Sequence, residues 1–266
     1  MRKEVTILIP SYNSGNYLRE AIESVFNQTY PYWKMIIVDD SSTDHSLFHA
    51  ADLLQDPRIT LIKNEKNGGQ SIAQNIGLQN ITTEFFLQLD SDDWLPENTV
   101  ELLMDTAESV PEDVALIIGD VVEVTEMRSR KRYRFVSNKW SNIHQDKYEL
   151  LGANYIPWPK FYRTSSVKKM GGWAVNDPFE GRHAEDLRMF LRLIEEYRFY
   201  YIPETILYYR IHSSNSTHQK DVYKEAVEWI VRDALKRWGN EYEPVFKTIR
   251  GGWRVIKKLI PIEREE

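Results

Sequence analysis

An apolar run that stops abruptly at a cluster of acids is the sequence feature that most constrains the fold of this chain. Residues 85–89 are mainly apolar, and Asp90, Asp92 and Asp93 follow them at once. A short apolar and aromatic run bounded by a turn signal is typical of a buried strand. Carboxylates crowded at the end of a strand repel one another, and a hard cation such as Mg²⁺ or Mn²⁺ would offset that repulsion. The same acids could instead cap the following helix, because Asp often precedes the first helical turn.

Strand-like runs alternate with helix-like patterns through the N-terminal part of the chain. The strand-like runs are residues 5–9, 35–38, 58–63 and 85–89, and apolar residues recur at helical spacing between them. Such alternation is typical of βαβ units. We therefore predict an α/β fold with a mostly parallel open sheet and helices on both faces, followed by a small C-terminal helical extension.

Polar residues follow three of these strands at what would be one edge of the sheet. They are residues 10–12 (Pro-Ser-Tyr), 39–40 (Asp-Asp) and 90–93 (Asp-Ser-Asp-Asp). Open α/β sheets bind their ligands at the carboxyl ends of the strands. Neither a G-x-G-x-x-G sequence nor a P-loop follows the first strand, so the usual dinucleotide and ATP sites are not expected. A nucleotide at this edge would be held by carboxylates and by a metal ion on its phosphates.

The composition excludes several classes of protein. The 266 residues include no cysteine, so neither disulfides nor thiolate metal sites are expected. A net charge of −6 argues against a general nucleic-acid binder. No apolar run approaches the ~18 residues of a membrane span and the N-terminus is unlike a signal peptide, so we expect a cytoplasmic protein. Residues 247–258 carry five cations and no acid, and they either pack on the chain itself or contact the inner face of the membrane peripherally.

Four short motifs occur in a fixed order in the first part of the chain. They are residues 6–13 (TILIPSYN), 37–44 (IVDDSSTD), 67–69 (NGG) with 75–77 (NIG), and 89–94 (LDSDDW). In this order they resemble the motifs of the family 2 glycosyltransferases. The resemblance implies a GT-A-like fold, which is a Rossmann-like α/β architecture, and the use of a nucleotide-sugar donor.

The resemblance also implies which residues bind the nucleotide. Pro10 and Tyr12 would line its pocket and Asp39 would contact the base, while Asp40 and Asp44 are more often structural in this motif. The family commonly has Arg or Lys where this chain has Gln74, so a basic group that could approach the donor phosphates is missing. The full set of expected nucleotide-binding residues is Pro10, Tyr12, Asn13, Asp39, Asn67, Gly69, Gln74, Asp90 and Ser91.

Metal and acceptor residues are expected from three further places. Asp90 and Asp92 form the metal-associated D-x-D pair of the family, with Mn²⁺ or Mg²⁺ as cofactor. The Tyr-Arg-Ile-His sequence at 209–212 is similar to a C-terminal motif whose basic residues approach the diphosphate or metal, so His212 is a third expected ligand. Aromatic side chains can stack on sugar rings, but they are equally good core residues.

The expected acceptor residues are Trp158, Trp94 and Arg210.

Two adjacent acids open a later helical stripe and are the candidates for catalysis. Glu185 and Asp186 lie in its first turn, where the helix dipole favours negative charge, so a structural cap explains them as well as catalysis does. The family has a Glu-Asp motif just before a Leu-rich helix, and its inverting members use the Asp of that motif as general base. The resemblance therefore implies that Asp186 is the base and that Glu185 orients the site or binds acceptor hydroxyls.

These expectations combine into one functional hypothesis. We expect residues 1–218 to form a catalytic domain, with 1–110 as its nucleotide-binding half and 111–218 as its acceptor half, and residues 219–266 to form the helical extension. The hypothesis is a metal-dependent, inverting glycosyltransferase that moves sugar from a UDP-sugar to a hydroxyl of a carbohydrate or lipid-linked acceptor, in surface polysaccharide synthesis.

Two other functions remain open. A sugar-nucleotide nucleotidyltransferase also uses a metal ion and an open α/β sheet, but it normally needs a Gly-rich basic loop that residues 10–13 do not supply. A non-catalytic nucleotide-sugar binding protein would keep the pocket without turnover, and Gln74 makes that alternative more credible.

Overall fold

Alternation of strands and helices builds one large open sheet in a computed structural model of the chain. The structure describes residues 3–127, 130–137, 146–153, 160–212, 220–249 and 252–263. The strands are β1 (Val5–Ser11), β2 (Trp33–Asp39), β3 (Ile59–Lys63), β4 (Phe85–Gln88), β5 (Val114–Met127), β6 (Arg130–Val136), β7 (Lys160–Arg163), β8 (Arg198–Ile211), β9 (Tyr242–Thr248) and β10 (Arg254–Pro261). The helices are α1 (Tyr17–Phe26), α2 (Ser46–His49), α3 (Gln70–Asn80), α4 (Thr99–Ser109), α5 (Lys147–Ala153), α6 (Thr164–Lys169), α7 (Glu185–Leu193) and α8 (Lys220–Arg237).

The large sheet is mixed: one half, β1 to β4, is parallel, and in the other half β6 and β7 pair antiparallel with β5 while β8 pairs parallel with it. Its strand order is β3-β2-β1-β4-β7-β5-β6, and β8 also pairs with β5. Strands β1 to β4 run parallel, and the pairing of Ser11 with Asp39 brings the carboxyl ends of β1 and β2 to one edge, as predicted. Strand β7 runs antiparallel to β4, so its first residue, Lys160, lies beside Gln88 at that same edge.

Side chains of β1 alternate between two apolar cores on opposite faces of the sheet. Ile7 and Ile9 pack with α1 and α4, whereas Leu8 packs with α3 and α7. Helix α3 approaches β1 closely at Gly77, where an added Cβ would lie 2.1 Å from a methyl carbon of Leu8. This close approach sets the N-terminal part of α3 above the acidic edge of the sheet.

The C-terminal extension differs from the prediction, because only its first part is helical. Helix α8 packs against α7, and the chain then forms a two-stranded antiparallel sheet from β9 and β10. β-branched residues and a turn at Gly252, whose φ is 87°, favour a hairpin over a helix here. The basic segment 247–258 falls mostly on this hairpin, where Ile256 is buried and Arg254 pairs with Glu228. The predicted domain boundary at 218 lies outside the described residues.

The described residues include no helix that is both long and apolar enough to cross a bilayer.

Candidate active site

Three carboxylates follow β4, and the structure gives them different surroundings. Asp93 is buried, and its Oδ1 accepts a hydrogen bond of 2.8 Å from the backbone N–H of Arg210. Burial raises the pKa of Asp93 well above its ordinary value, and the nearby charges of Asp92 and Asp90 raise it further. Asp90 and Asp92 remain partly exposed, at 29% and 27% of their side chains. These two are therefore the carboxylates that a ligand can reach.

Asp92 and His212 meet side by side at the acidic edge. Asp92 Oδ2 and His212 Nε2 are 2.9 Å apart, which brings a carboxylate oxygen and an imidazole nitrogen to one point. Mg²⁺ and Mn²⁺ are usually held by one or two carboxylates together with substrate phosphates, and the Asp92–His212 pair supplies one carboxylate and one imidazole toward such a set. Among the residues that the structure describes, no group of three or more His, Cys, Asp and Glu side chains is placed to hold a metal ion. Any ion here would need ligands from a substrate.

Asp186 lies at the start of α7, next to a buried lysine. The ammonium of Lys160 contacts Asp186 Oδ2, and it also lies 3.5 Å from Asp90 Oδ2. Burial raises the pKa of Asp186, although the neighbouring Lys160 acts in the opposite direction. Its second oxygen, Oδ1, has no hydrogen-bond partner among the described residues. Asp186 Oδ1 is therefore a buried carboxylate oxygen that makes no hydrogen bond within the described residues.

Glu185 precedes Asp186 and shares its environment. Burial raises the pKa of Glu185 well above its ordinary value, and the charge of Asp186 adds to this effect. The residue before them, Ala184, has a φ of 51°, so the chain turns sharply into α7 and presents both acids to the edge of the sheet. The structure thus brings the two expected catalytic acids to the D-x-D cluster, across about a hundred residues of sequence.

The end of β2 carries the two acids of the second motif, and they have separate surroundings. Asp40 accepts hydrogen bonds from Asn64 and from the backbone N–H groups of Gly68 and Gly69, at 2.7 to 2.9 Å. It therefore shapes the 64–69 loop, in keeping with the structural role expected for it. Asp39 is also buried, but its Oδ1 has no hydrogen-bond partner in the described part of the chain. A carboxylate oxygen buried in this way is ready to accept an N–H group from a ligand.

The expected nucleotide residues of the first motif fall into two groups. Tyr12 is half exposed beside buried Pro10, so its ring is available to a ligand. Asn13 is instead occupied within the protein, since its Oδ1 accepts hydrogen bonds from Thr43 and Asp44 in the loop after β2. Its role is to join two loops of the pocket.

The other expected nucleotide residues lie around α3 and the D-x-D cluster. Gln74 is fully buried, and neither its Oε1 nor its Nε2 has a hydrogen-bond partner among the described residues. Asn67 accepts a 2.8 Å hydrogen bond from the guanidinium of Arg182, which also covers Gly69. Ser91 shares a hydrogen bond of 2.5 Å with Ser14. Arg182 places a cation beside the nucleotide motif although position 74 lacks one.

Arg210 was expected to contact the acceptor, and its position contradicts this. The side chain is fully buried, and its guanidinium donates to the backbone oxygen of Asp92 and to the carboxylates of Glu20 and Glu126. It also lies over the rings of Tyr17 and Trp94, at 4.3 and 4.5 Å from the ring centres. A guanidinium with these partners cannot turn to a sugar, so Arg210 holds the D-x-D loop instead.

The two tryptophans expected at the acceptor site have different outcomes. Trp94 stacks on Tyr208 with ring centres 5.2 Å apart, and the ammonium of Lys131 lies 5.3 Å from its ring centre. It is half-buried, so part of its surface remains accessible. Trp158 lies outside the described residues.

The comparison with protein families shows which family the chain belongs to. Residues 6–171 match the model of glycosyl transferase family 2. The chain belongs to this family. It is 27% identical over 209 residues to glycosyltransferase GlyG of Streptococcus pneumoniae, with 78% of this chain and 68% of GlyG covered. It is 28% identical over 253 residues to the hyaluronan synthase of Pasteurella multocida, but the match covers 90% of this chain and only 24% of the synthase. The chain also spans 29% of the length of S. pneumoniae glycosyltransferase GlyA.

Solved structures confirm the predicted GT-A-like fold of this glycosyltransferase. S. aureus TarS 1-349 in complex with UDP-GlcNAc matches with a TM-score of 0.67 at 19% identity, over 87% of this chain and 66% of that chain. Mannosyltransferase PcManGT from Pyrobaculum calidifontis, in complex with GDP-Man and Mn²⁺, matches with a TM-score of 0.66 at 16% identity, over 89% of this chain and 65% of that chain. At these identities the likeness concerns the fold.

Sequence reasoning missed Lys160 in this glycosyltransferase. Lysine is rarely fully buried unless it is paired, and Lys160 is only 3% exposed. The signal was present in the Lys-Phe-Tyr-Arg sequence of β7, because a cation in a short buried strand requires a carboxylate partner. Which carboxylate it meets depends on the antiparallel pairing of β7 with β4, and the sequence pattern does not contain that pairing.

Proposed function

We propose that this glycosyltransferase moves a sugar from a UDP-sugar to an acceptor hydroxyl, with a divalent metal ion and with inversion at the anomeric carbon. The observation that carries the proposal is the proximity of Asp186 to the D-x-D cluster. One ammonium, that of Lys160, contacts Asp186 Oδ2 and lies 3.5 Å from Asp90 Oδ2. The expected base therefore lies close to the carboxylates expected at the donor diphosphate, and a single displacement requires base and donor to be held close together.

The nucleoside would lie at the ends of β1 and β2. Tyr12 offers a half-exposed ring for stacking, and the open Oδ1 of Asp39 is suited to accept the ring N–H of uracil. Guanine presents ring and amino N–H groups too, and the neighbouring structures hold UDP-GlcNAc or GDP-Man. We favour uracil because a single carboxylate oxygen matches its one ring N–H.

Asp90, Asp92 and His212 are the residues that would hold the metal ion. When bound, a divalent ion supplies positive charge to the departing diphosphate. The protein prepares this place by setting Asp92 beside His212 and by fixing the D-x-D loop through Arg210. Asp93 faces the interior, so it would not compete for the ion.

Asp186 would remove the proton from the acceptor hydroxyl. The freed oxygen attacks the anomeric carbon as the bond from that carbon to the diphosphate oxygen breaks, and the electron pair of that bond leaves with the nucleoside diphosphate. The proton ends on Asp186 Oδ1, which has no protein hydrogen bond to give up among the described residues. Attack opposite the leaving group inverts the configuration.

The acceptor would be a growing surface polysaccharide, either free or lipid-linked. Relatives of the chain include enzymes named hyaluronan synthase and chondroitin synthase. Trp94 is half-buried beside the cluster and offers a ring face for a sugar. Exposed Lys247, Lys257 and Lys258 on the C-terminal hairpin would allow peripheral contact with anionic lipid where a lipid-linked acceptor is used.

A panel of nucleotides tests the donor and the metal together. We expect UDP with Mn²⁺ at about 100 times its Kd to raise the melting temperature by about 5–10 °C, because a ligand that binds the folded state stabilises it. UDP without Mn²⁺ should raise the melting temperature clearly less than UDP with Mn²⁺. GDP should raise it less than UDP does, both with and without Mn²⁺. The measurement is a thermal-shift assay with UDP, GDP, CDP and TDP, with and without Mn²⁺.

Asp92→Asn is the matched variant for that assay. It removes a charge from the metal site but leaves Tyr12 and Asp39 in place, so UDP alone should still bind while the added effect of Mn²⁺ is lost. An equal Mn²⁺ effect in both proteins would exclude Asp92 as a ligand. Equal shifts for all four nucleotides would exclude base recognition by Asp39.

Gln74→Leu tests whether the buried amide belongs to the donor site. Its two polar atoms have no hydrogen-bond partners among the described residues, so leucine should leave the stability of the free protein unchanged or raise it. The stabilisation by UDP should fall, because the donor would lose a polar contact. The measurement is the melting temperature with and without UDP. Unchanged UDP stabilisation would assign Gln74 to the core.

A further inference from the structure

The cation between the two acidic groups of the site has no role in the proposed displacement. Lys160 comes from β7, while Asp90 follows β4 and Asp186 begins α7, so its ammonium joins three separate elements. The side chain is 4% exposed, and its pKa is raised well above its ordinary value because the charges of Asp186 and Asp90 outweigh the effect of burial. It is therefore a fixed positive charge inside the proposed metal site.

A fixed ammonium at this place must compete with a metal ion. Asp90 Oδ2 lies 3.5 Å from Lys160 Nζ, and the other oxygen, Oδ1, accepts long hydrogen bonds from Gln70 and Gln88 at 3.3 and 3.2 Å. Both oxygens of this expected metal ligand are thus engaged with protein donors in the absence of a substrate. A divalent ion that binds Asp90 has to do so beside another cation.

We propose that Lys160 is a positioning residue that makes metal binding depend on the donor. In the free enzyme its ammonium satisfies Asp90 and Asp186 and keeps the ion weakly bound. The phosphate oxygens of the donor hold the ion, and they also offer the ammonium of Lys160 new anionic partners. The ammonium and the ion then no longer compete for Asp90. This inference rests on the proposed metal-dependent function, and it adds an order of assembly that the family motifs do not contain.

The test is a titration of the whole protein with Mn²⁺ alone. The concentration of free Mn²⁺ is measured by electron paramagnetic resonance, and it gives the Kd for Mn²⁺. We expect Lys160→Met to bind Mn²⁺ at least about tenfold more tightly than the natural protein, because the competing charge is gone. With saturating UDP present, the two proteins should differ by less than about threefold. Lys160→Arg keeps the charge and should resemble the natural protein.

Two matched variants separate this role from a structural one. Lys169→Met removes an exposed lysine paired with Glu196 and should leave the Mn²⁺ affinity unchanged, which controls for net charge. If Lys160→Met folds poorly, Asp186→Asn is compared with the double variant Asp186→Asn, Lys160→Met. The double variant loses one negative and one positive charge, so no buried charge is left without its partner. The double variant should bind Mn²⁺ at least about tenfold more tightly than Asp186→Asn alone.

The outcomes distinguish this inference from the function on which it rests. If Lys160→Met lowers the melting temperature but binds Mn²⁺ like the natural protein, the lysine is structural and the inference is wrong. If Mn²⁺ with UDP binds the natural protein while the donor-free affinity is unaffected by any Lys160 variant, only the inference is lost. If neither Mn²⁺ nor Mn²⁺ with UDP binds any variant, the proposed metal-dependent function is lost with it.

Discussion

Asp186→Asn should lower kcat for sugar transfer by about 10²–10⁴, because a positioned general base contributes roughly that factor to a rate. Gln88 and Lys160, its polar neighbours from β4 and β7, carry no carboxylate, so only the nearby Glu185 and Asp90 could take the proton instead. Asparagine keeps the shape of the side chain and can still accept the ammonium of Lys160 through its amide oxygen. The affinity for UDP should therefore stay within about threefold of the natural protein.

The measurement is steady-state transfer together with slow hydrolysis of the donor, with UDP binding measured in parallel. Glu185→Gln is the matched control, because it removes the adjacent charge, and we expect a loss at least about tenfold smaller than that of Asp186→Asn. If Asp186→Asn consumes donor at the natural rate, Asp186 is not the base. If Glu185→Gln shows the larger loss, the two acids have exchanged roles.

The pH dependence of kcat should reflect the same carboxyl. A base must be deprotonated to act, so kcat falls as the pH falls through its pKa. Because burial raises the pKa of Asp186, the acidic limb of the profile should lie above the range of an ordinary aspartate. The limb should be absent from the residual activity of Asp186→Asn. A natural profile that is flat down to about pH 4 would contradict the assignment.

The parallel half of this fold could be predicted from the sequence because its signals are local. Each strand of that half is a short apolar run, and the polar tips at residues 10–12, 39–40 and 90–93 follow directly in the chain. Parallel strands joined by helices place those tips at one edge whatever the detailed packing. The predicted edge and its acids are therefore present.

The other half could not be predicted in the same way, because its pairings, apart from the β5–β6 hairpin, are distant in sequence. Lys160 reaches the site through the pairing of β7 with β4, and Arg210 reaches Glu20 across 190 residues. The resemblance of residues 209–212 to a family motif made Arg210 a candidate for a substrate contact, whereas its burial assigns it to the protein interior. Likewise, the hairpin β9–β10 shows no helical or strict strand period, so composition led to a helical prediction.

Arg210→Met should destabilise the protein by about 3 kcal/mol, the low end of the range for breaking a buried ion pair. The guanidinium is fully buried, but Glu20 and Glu126 are 45% and 32% exposed, so water relieves part of the charge left unpaired. Loss of the hydrogen bond to the backbone oxygen of Asp92 should also free the D-x-D loop, and the stabilisation by Mn²⁺ with UDP should fall. The measurements are urea unfolding and the thermal shift.

Two variants decide whether this effect comes from the buried charge. Arg198→Met breaks an exposed pair with Asp113, where the pair is screened by solvent, and it should change stability far less. Glu20→Gln with Glu126→Gln, added to Arg210→Met, removes the carboxylates left without a partner and should recover part of the stability. The recovered protein should still respond weakly to Mn²⁺ with UDP, because nothing replaces the bond to Asp92. Full recovery of both properties would show that Arg210 only neutralises charge, and that the D-x-D loop keeps its shape without it.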